Sequence, residues 1–202
     1  MSRKGLLWTI FGWCILMVIM YYFLPYFIVT LLWIGLSVAL FIILIIQSVK
    51  LIKERKALTG LRISKIIAFG LLFYFSFNIW SVNNFIEKID WRIFYNKRMG
   101  IVEQVKNKEL TPNVSWNNWI CELPFNFPVI SHGGNDIGIF RNKGNDSITV
   151  IFYTYRNFFS APSTYFIYTN DEERKEWLEA LVKRAPDNNW KIEENWYRAC
   201  YE

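Results

Sequence analysis

The stretch GLLWTIFGWCILMVIMYYFLPYFIVTLLWIGLSVALFIILIIQSV, residues 5–49, contains no charged side chain. A helix needs roughly 20 apolar residues to cross about 30 Å of hydrocarbon. Proline ends one helix and allows the next to begin, so we predict spans over Leu6–Leu24 and Tyr26–Ser48 with the turn at Pro25. Aromatic residues gather around that turn, as is typical of the lipid headgroup level: Tyr21, Tyr22, Phe23, Tyr26 and Phe27.

A third uncharged run, Ile66–Ile86, is long enough to span, although its second half is more polar. The alternative for this run is a re-entrant or amphipathic segment. For the first span the alternative is a cleaved signal peptide, but its apolar core is long and a cleavage site with small residues is missing. We therefore interpret the first span as an uncleaved signal-anchor.

The basic residues predict the direction of the spans. Arg3 and Lys4 precede the first span, and the segment between the second and third spans, residues 50–65, carries six basic residues and one acidic residue. The positive-inside rule assigns both segments to the cytoplasm, which agrees with three crossings. The expected topology has the N-terminus in the cytoplasm and the C-terminal domain outside it.

The net charge of +6 does not indicate a nucleic-acid-binding protein. The two basic segments alone contribute +7, so the remainder of the chain carries about −1. The excess of basic residues is explained by topology and by contact with anionic lipid. We expect the lipid bilayer, and not nucleic acid, as a partner.

The sequence therefore divides into a three-span region at residues 1–86, a juxtamembrane helical segment at 87–110 and an exported domain at 111–202. The segment at 87–110 combines helical spacing of apolar residues with aromatic and basic residues, which favours a helix on the lipid surface or a stalk. In the part that follows the spans, Cys121 and Cys200 are a candidate disulfide for an oxidising compartment. The alternative is that both are small apolar residues packed apart in the core.

The exported domain has the pattern of an α+β fold. Alternating segments predict strands, and the turn residues 142–146 join two of them into a hairpin; the segments are Trp116–Leu123, Ile137–Arg141, Ile148–Arg156, Thr164–Thr169, Trp190–Glu193 and Trp196–Tyr201. One helix follows Thr169 or Asn170 as its cap and stops before Pro186. Its apolar stripe would pack on the sheet: Trp177, Leu178, Leu181 and Val182. The fold class is three transmembrane helices plus an α+β domain with a mainly antiparallel sheet and one packed helix.

The sequence offers little catalytic chemistry. His132 is the single histidine, and the cysteines show no short pairing, so we expect no metal, no cofactor and no enzyme activity. Ser131 adjoins His132 and Asp136 could orient it, but a histidine among turn residues more often belongs to the turn than to a triad. The pair Gly133-Gly134 fits an anion nest or, more simply, a tight turn.

Aromatic residues make binding the better hypothesis. Phe158 and Phe159 fall in an expected loop, where exposed aromatic side chains mark contacts with partners. A loop folded back over the core is the alternative. The candidate partner-binding residues are Phe158, Phe159, Arg156, His132 and Asp136.

Several short motifs resemble a group of small bacterial proteins that are anchored or exported and have no established activity. The motifs are Leu123-Pro124, Ser131-x-Gly133-Gly134-x-x-Ile137, Thr149-Val150-x-Phe152-x-Thr154-Tyr155-Arg156, Phe166-Ile167-Tyr168 and Asn195-Trp196-Tyr197. This resemblance implies a bacterial origin, and so a bacterial cytoplasmic (inner) membrane as the expected location. It also supports the boundary of the exported domain. It covers the exported part only.

The expected function is therefore a membrane-anchored binding module that acts outside the cytoplasm on a protein partner. Its sharpest form is an immunity protein against an envelope-targeted toxin. The alternative is a membrane effector or sensor, in which a ligand of the C-terminal domain controls association of the spans or oligomers of the chain. An envelope enzyme ranks last.

Overall fold

A computed structural model describes residues 2–56, 58–142, 144–155 and 162–201 of the chain. The chain divides into two units, Met1–Ile89 and Asp90–Glu202, and each is described separately here.

The first unit contains the three predicted apolar helices: α1 (Arg3–Tyr22), α2 (Tyr26–Lys53) and α3 (Gly60–Phe77). All three are long and apolar enough to cross a membrane. The break predicted at Pro25 is confirmed, because this residue is the extended N-cap of α2. Large apolar side chains are exposed along all three helices, as lipid-facing surfaces require.

The bounds of the third span were predicted wrongly. Helix α3 already begins at Gly60, after the N-cap Thr59, and it ends at Phe77. Asn78 then leaves the helical conformation with φ −97° and ψ 60°, and a new helix, α4, covers Ile79–Lys106. The run Ile66–Ile86 is therefore divided between two helices. Asparagine favours such breaks because its side chain competes for backbone hydrogen bonds.

Side chains from separate helices meet inside the first unit. The indole Nε1 of Trp13 in α1 donates a hydrogen bond to Ser76 Oγ in α3 at 2.7 Å. Leu40 of α2 packs with Phe69 and Leu72 of α3 in a buried apolar cluster. The three helices therefore contact one another through both apolar and polar groups.

The second unit is built on one six-stranded antiparallel sheet, which confirms the predicted class of sheet. The spatial order is β1-β2-β3-β4-β6-β5, so β1 and β5 lie at the edges. The strands are β1 (Ile120–Glu122), β2 (Asp136–Arg141), β3 (Ile148–Tyr155), β4 (Ser163–Thr169), β5 (Trp190–Glu193) and β6 (Trp196–Tyr201). The predicted strand Trp116–Leu123 is reduced to three residues, and Trp116 is exposed.

Helices cover both faces of this sheet, where only one packed helix was predicted. On the first face, Ile101, Val102 and Val105 of α4 join the main core. On the second face lies α5 (Glu172–Arg184), whose Leu178 is fully buried. This arrangement explains why β3 is apolar on both of its sides.

The part of α4 that belongs to the second unit packs one of its faces into the core of that unit. Trp91 packs against Phe166 and Trp196, with ring centroids 4.8 and 4.9 Å apart. Arg98 is 1% exposed, and its guanidinium donates to the Asp90 carboxylate at 2.5 Å. Trp91 and Arg98 therefore belong to the core of the second unit, whereas Arg92, Ile93 and Lys97 on the same helix are exposed.

Helix α5 begins one residue later than predicted. Asp171 is its N-cap, and the Asp171 carboxylate accepts a hydrogen bond from the backbone N–H of Arg174. Acidic residues fill the first turn and basic residues the last turn, which complements the helix dipole. Thr169, one of the two predicted caps, accepts instead from the backbone N–H of Asp171.

Candidate functional site

A cleft of about 470 Å³ lies on the second face of the sheet, beside the N-terminal half of α5. Its size is within the roughly 300–1,000 Å³ that is usual for small-molecule sites. The described residues that line it come from the β2–β3 hairpin and from α5: Phe140, Arg141, Asn142, Ser147, Thr149, Asp171, Glu173, Arg174 and Trp177.

Phe140 forms an aromatic wall of the cleft, and a second aromatic ring supports it. Phe140 is 44% exposed and stacks on Trp119, with ring centroids 5.2 Å apart and planes 20° apart. Trp119 in turn lies over Gly138, where a Cβ atom would come within 3.1 Å of the indole ring. Glycine at this position therefore lets Trp119 lie flat on the sheet and support Phe140.

A second aromatic residue of the lining is Trp177 of α5, which is 40% exposed although it belongs to the predicted apolar stripe. The edge of its ring meets Tyr201, with centroids 5.0 Å apart. The guanidinium of Arg174 lies 4.1 Å from the Trp177 ring centroid and donates to the Tyr201 hydroxyl at 2.9 Å. These contacts fix the orientation of Trp177 without burying it.

Asp171 organises the polar part of the cleft. Its Oδ2 accepts hydrogen bonds from Ser147 Oγ at 2.5 Å and from Asn142 Nδ2 at 3.0 Å, and its Oδ1 accepts from the backbone N–H of Arg174. These donors, first that from Ser147, lower the pKa of Asp171. The carboxylate is therefore ionised near neutral pH and ties the β2–β3 hairpin to the start of α5.

The formal charges of the cleft balance. Arg141 donates to Asp146 at 2.9 Å and to the backbone carbonyl of Val105 at 2.6 Å, so it is engaged within the protein. Arg174 is engaged with Tyr201, and two carboxylates, Asp171 and Glu173, offset the two arginines. The cleft can therefore recognise a neutral ligand through aromatic faces and hydrogen bonds.

The segment around His132 serves the fold. Gly133, Gly134 and Asn135 have positive φ values of 89°, 97° and 63°. These angles agree with the prediction that the glycine pair forms a tight turn. The buried Asn135 amide accepts from the backbone N–H groups of Ile130 and Ser131. It also donates to the carbonyls of Phe125 and Pro128.

Of the three residues considered for a triad, Ser131 is held by hydrogen bonds and His132 is a weak base. Ser131 Oγ donates to the backbone carbonyl of Asp136 and accepts from the backbone N–H of Tyr153. Burial lowers the pKa of His132 to about 3, with a smaller contribution from the positive charge of Arg98. His132 is therefore neutral near pH 7, and its basicity is far below that of a typical general base.

The sequence-predicted binding residues do not form the cleft. His132 and Asp136 are absent from its described lining, and Arg156, Phe158 and Phe159 lie outside the described residues. The cleft residues were missed because they come from two distant segments of the chain. The hairpin turn and the cap of α5 were visible in the sequence, but nothing there showed that they meet.

The fold decides between the two alternatives for the cysteines. Cys121 lies in β1 and Cys200 in β6, with β2, β3 and β4 between them. Four strand spacings separate them by about 19 Å, whereas a disulfide needs Cα atoms closer than about 7 Å. Both are free thiols, and Cys121 packs in the main core. The candidate Cys121–Cys200 disulfide is therefore incompatible with this fold.

Among the described residues, no three histidine, cysteine, aspartate or glutamate side chains come close enough together to hold a metal ion. Comparison of the chain with protein-family models, with curated proteins and with solved structures finds no match.

Proposed function

We propose that this chain is a membrane-anchored binding module, with its second unit on the outer side of a bacterial cytoplasmic membrane and its ligand in the cleft beside α5. The observation that carries the proposal is the cleft itself. It combines two aromatic walls, Phe140 and Trp177, that the protein orients but leaves exposed. Exposed and supported aromatic side chains are typical of recognition sites.

The orientation follows from charge. The basic residues at the start of α1, and those at the end of α2, at the start of α3 and in the segment between them, belong on the cytoplasmic side by the positive-inside rule. With three crossings, the chain beyond α3 lies on the other side. This places the cleft where it meets molecules of the cell envelope.

Binding is favoured over catalysis by the state of the polar groups. The Asp171 carboxylate is held by three hydrogen-bond donors, and Ser131 is held between two backbone groups. A general base works best with a pKa near the operating pH, whereas these donors lower the pKa of Asp171, and a serine nucleophile needs a base beside it. The cleft offers aromatic contact and hydrogen bonds instead.

The sharper form of the proposal is an immunity protein that protects the cell from an envelope-targeted toxin. A small anchored domain with a recognition cleft is sufficient for this task. In this form the protein partner is met outside the cytoplasm.

Reporter fusions test the orientation. A reporter that is active only after export is fused behind Glu202, and a matched fusion is made after Lys56, between α2 and α3. We expect activity from the first fusion and none from the second, with the inverse pattern for a cytoplasm-only reporter. Activity of the cytoplasm-only reporter behind Glu202 would refute the proposed location.

Competition between strains tests the immunity form. A deletion strain grown with toxin-bearing kin is complemented with the wild-type chain, with Trp177→Ala or with Trp116→Ala. Trp116 is a matched control because it is 68% exposed and is not part of the cleft lining. We expect protection from the wild type and Trp116→Ala only. Normal growth of the deletion strain would exclude the immunity form and leave the binding module.

The second candidate is a sensor or effector whose helices associate between copies of the chain. Gly35 and Ala39 are four residues apart on α2, both are exposed, and a Cβ at Gly35 would meet no atom within 4 Å. Small residues at this spacing allow close approach of membrane helices. Energy transfer between labelled copies in vesicles should fall for Gly35→Ile. Equal transfer in wild type and variant would refute this candidate.

A further inference from the structure

We propose that the ligand of the cleft is a neutral saccharide, of the size of a di- or trisaccharide. This inference rests on the proposed function only in taking the cleft as the binding site. It assigns the chemical class of the ligand from charge, aromatic exposure and hydrogen-bonding groups.

The charged residues of the cleft argue against an anionic or a cationic ligand. Each arginine of the cleft has a partner inside the protein: Arg141 pairs with Asp146, and Arg174 donates to Tyr201 and stacks on Trp177. An anion such as phosphate would have to displace these contacts. A cation would meet two carboxylates, Asp171 and Glu173, but also the two guanidinium groups, so the cleft offers it no net charge attraction.

The exposed aromatic rings select a ligand with an apolar face. A π-system is electron-rich on its face, and it attracts the weakly positive C–H groups of a ring that stacks on it. Phe140 and Trp177 keep 44% and 40% of their surface exposed. Each of them is also supported by a second aromatic ring, Trp119 or Tyr201, so little ordering is left for binding.

The polar lining adds hydroxyl recognition. The exposed Glu173 carboxylate can accept hydrogen bonds in the same cleft as the aromatic walls. The exposed amide of Asn142 keeps one N–H and one oxygen lone pair beyond its bonds to Asp171 and to the backbone N–H of Gly144. A saccharide ring presents apolar C–H faces and a rim of hydroxyl groups that both donate and accept. A purely apolar ligand would leave these polar groups without compensation.

The topology disfavours an extended peptide as the ligand. Peptides bound along a sheet pair with the backbone of an edge strand. The strands that line the cleft, β2 and β3, are interior strands that pair with neighbours on both sides. Their backbone groups are therefore used within the sheet.

A saccharide ligand also suits the immunity form of the proposal, because a module bound to envelope glycan can shield that glycan from a toxin.

Saturation-transfer difference NMR on the full chain tests this inference. The protein is placed in lipid nanodiscs, because maltoside and glucoside detergents would add saccharide head groups. The probes are maltotriose, tri-N-acetylchitotriose, a mannobiose and a galactobiose, with the peptide Ala-Phe-Ala amide as the alternative. We expect transfer to the ring C–H protons of at least one saccharide and none to the peptide.

Variants assign the signal to the cleft. Phe140→Ala and Trp177→Ala should each weaken the binding of that saccharide about tenfold, since exposed aromatic anchors commonly contribute this much. Phe127→Ala and Trp116→Ala are matched controls, because both residues are more exposed and neither lines the cleft. Far-UV circular dichroism verifies that each variant is folded.

Three results overturn the inference: no transfer to any of the four saccharides, binding of the peptide alone, or saccharide binding that both cleft variants leave unchanged. These results are distinct from failure of the proposed location, since binding is measured on purified protein. An exported reporter with no saccharide binding would leave the anchored module in place and remove only the ligand class.

Discussion

The buried ion pair between Asp90 and Arg98 gives the sharpest prediction for the stability of the second unit. Both residues are almost fully buried, at 2% and 1% exposure, and their side chains meet at 2.5 Å. The guanidinium also donates twice to the backbone carbonyl of Ile130, at 2.9 and 3.2 Å, and lies 4.9 Å from the ring centroid of Phe166. The pair therefore links the start of the unit to its core and to the segment that carries Asn135.

The magnitude follows from the burial of the pair. Removing one partner leaves the other charge buried and uncompensated, which costs about 3–5 kcal/mol. We expect Asp90→Asn to lower the free energy of unfolding by about 3 kcal/mol, because the guanidinium keeps its bonds to Ile130. Arg98→Met should cost about 4 kcal/mol, since the Ile130 carbonyl then loses its donors as well.

The double variant Asp90→Asn/Arg98→Met should cost less than the sum of the single variants by about 2 kcal/mol, because no unpaired charge is left. Hydrogen exchange of the full chain, followed in peptides from β3 and β4, measures the free energy of opening in this unit alone. Glu172→Gln is the control: it breaks an exposed pair with Lys175 and should cost less than about 0.5 kcal/mol. Additive costs, or single variants as mild as the control, would refute the reasoning.

Two further predictions concern single residues. Because His132 has a pKa of about 3 in the folded chain against 6.5 normally, the unfolded chain binds more protons between these values. The free energy of unfolding therefore keeps the full contribution of neutral His132 above about pH 6.5. Below that pH it falls by up to about 1.4 kcal/mol for each pH unit. Urea unfolding of wild type and His132→Gln at pH 4–8 should show this difference in slope, and parallel profiles would contradict it. Gly138→Ala should destabilise the second unit by about 1–3 kcal/mol, because its Cβ would approach Trp119 to 3.1 Å and Ile151 to 3.3 Å. Unchanged hydrogen exchange in β2 would exclude this clash.

Local signals in the sequence were sufficient for most elements of the fold. Strands β5 and β6 have the predicted bounds, and the β2–β3 hairpin lies where its turn residues indicated. These features depend on neighbours in the chain, so a short window contains the information. The end of α3 at Asn78 was missed because an uncharged run records hydrophobicity but not the backbone conformation of one residue.

Long-range features could not be derived in the same way. Arg98 was expected among the basic residues of a helix on the lipid surface or of a stalk, yet tertiary contacts with Asp90 and Ile130 bury it. Trp177 was expected to be covered by the sheet, but it stays exposed and lines the cleft together with Phe140 from another segment of the chain. The packing of elements far apart in sequence decides which charges are compensated and which aromatic rings stay exposed. The periodicity of a single sequence contains no information on that packing.

The edges of the sheet have a consequence for chains confined to a membrane surface. Confinement raises the effective concentration of neighbouring copies, and a free edge strand would then promote strand-to-strand aggregation. Here β1 has only three residues, and Asn113 caps it by accepting from Glu122 N–H and donating to the Glu122 carbonyl. At the other edge, β5 has four residues and an irregular register beside Lys191. Short, capped or irregular edges keep crowded copies from joining their sheets into a continuous assembly.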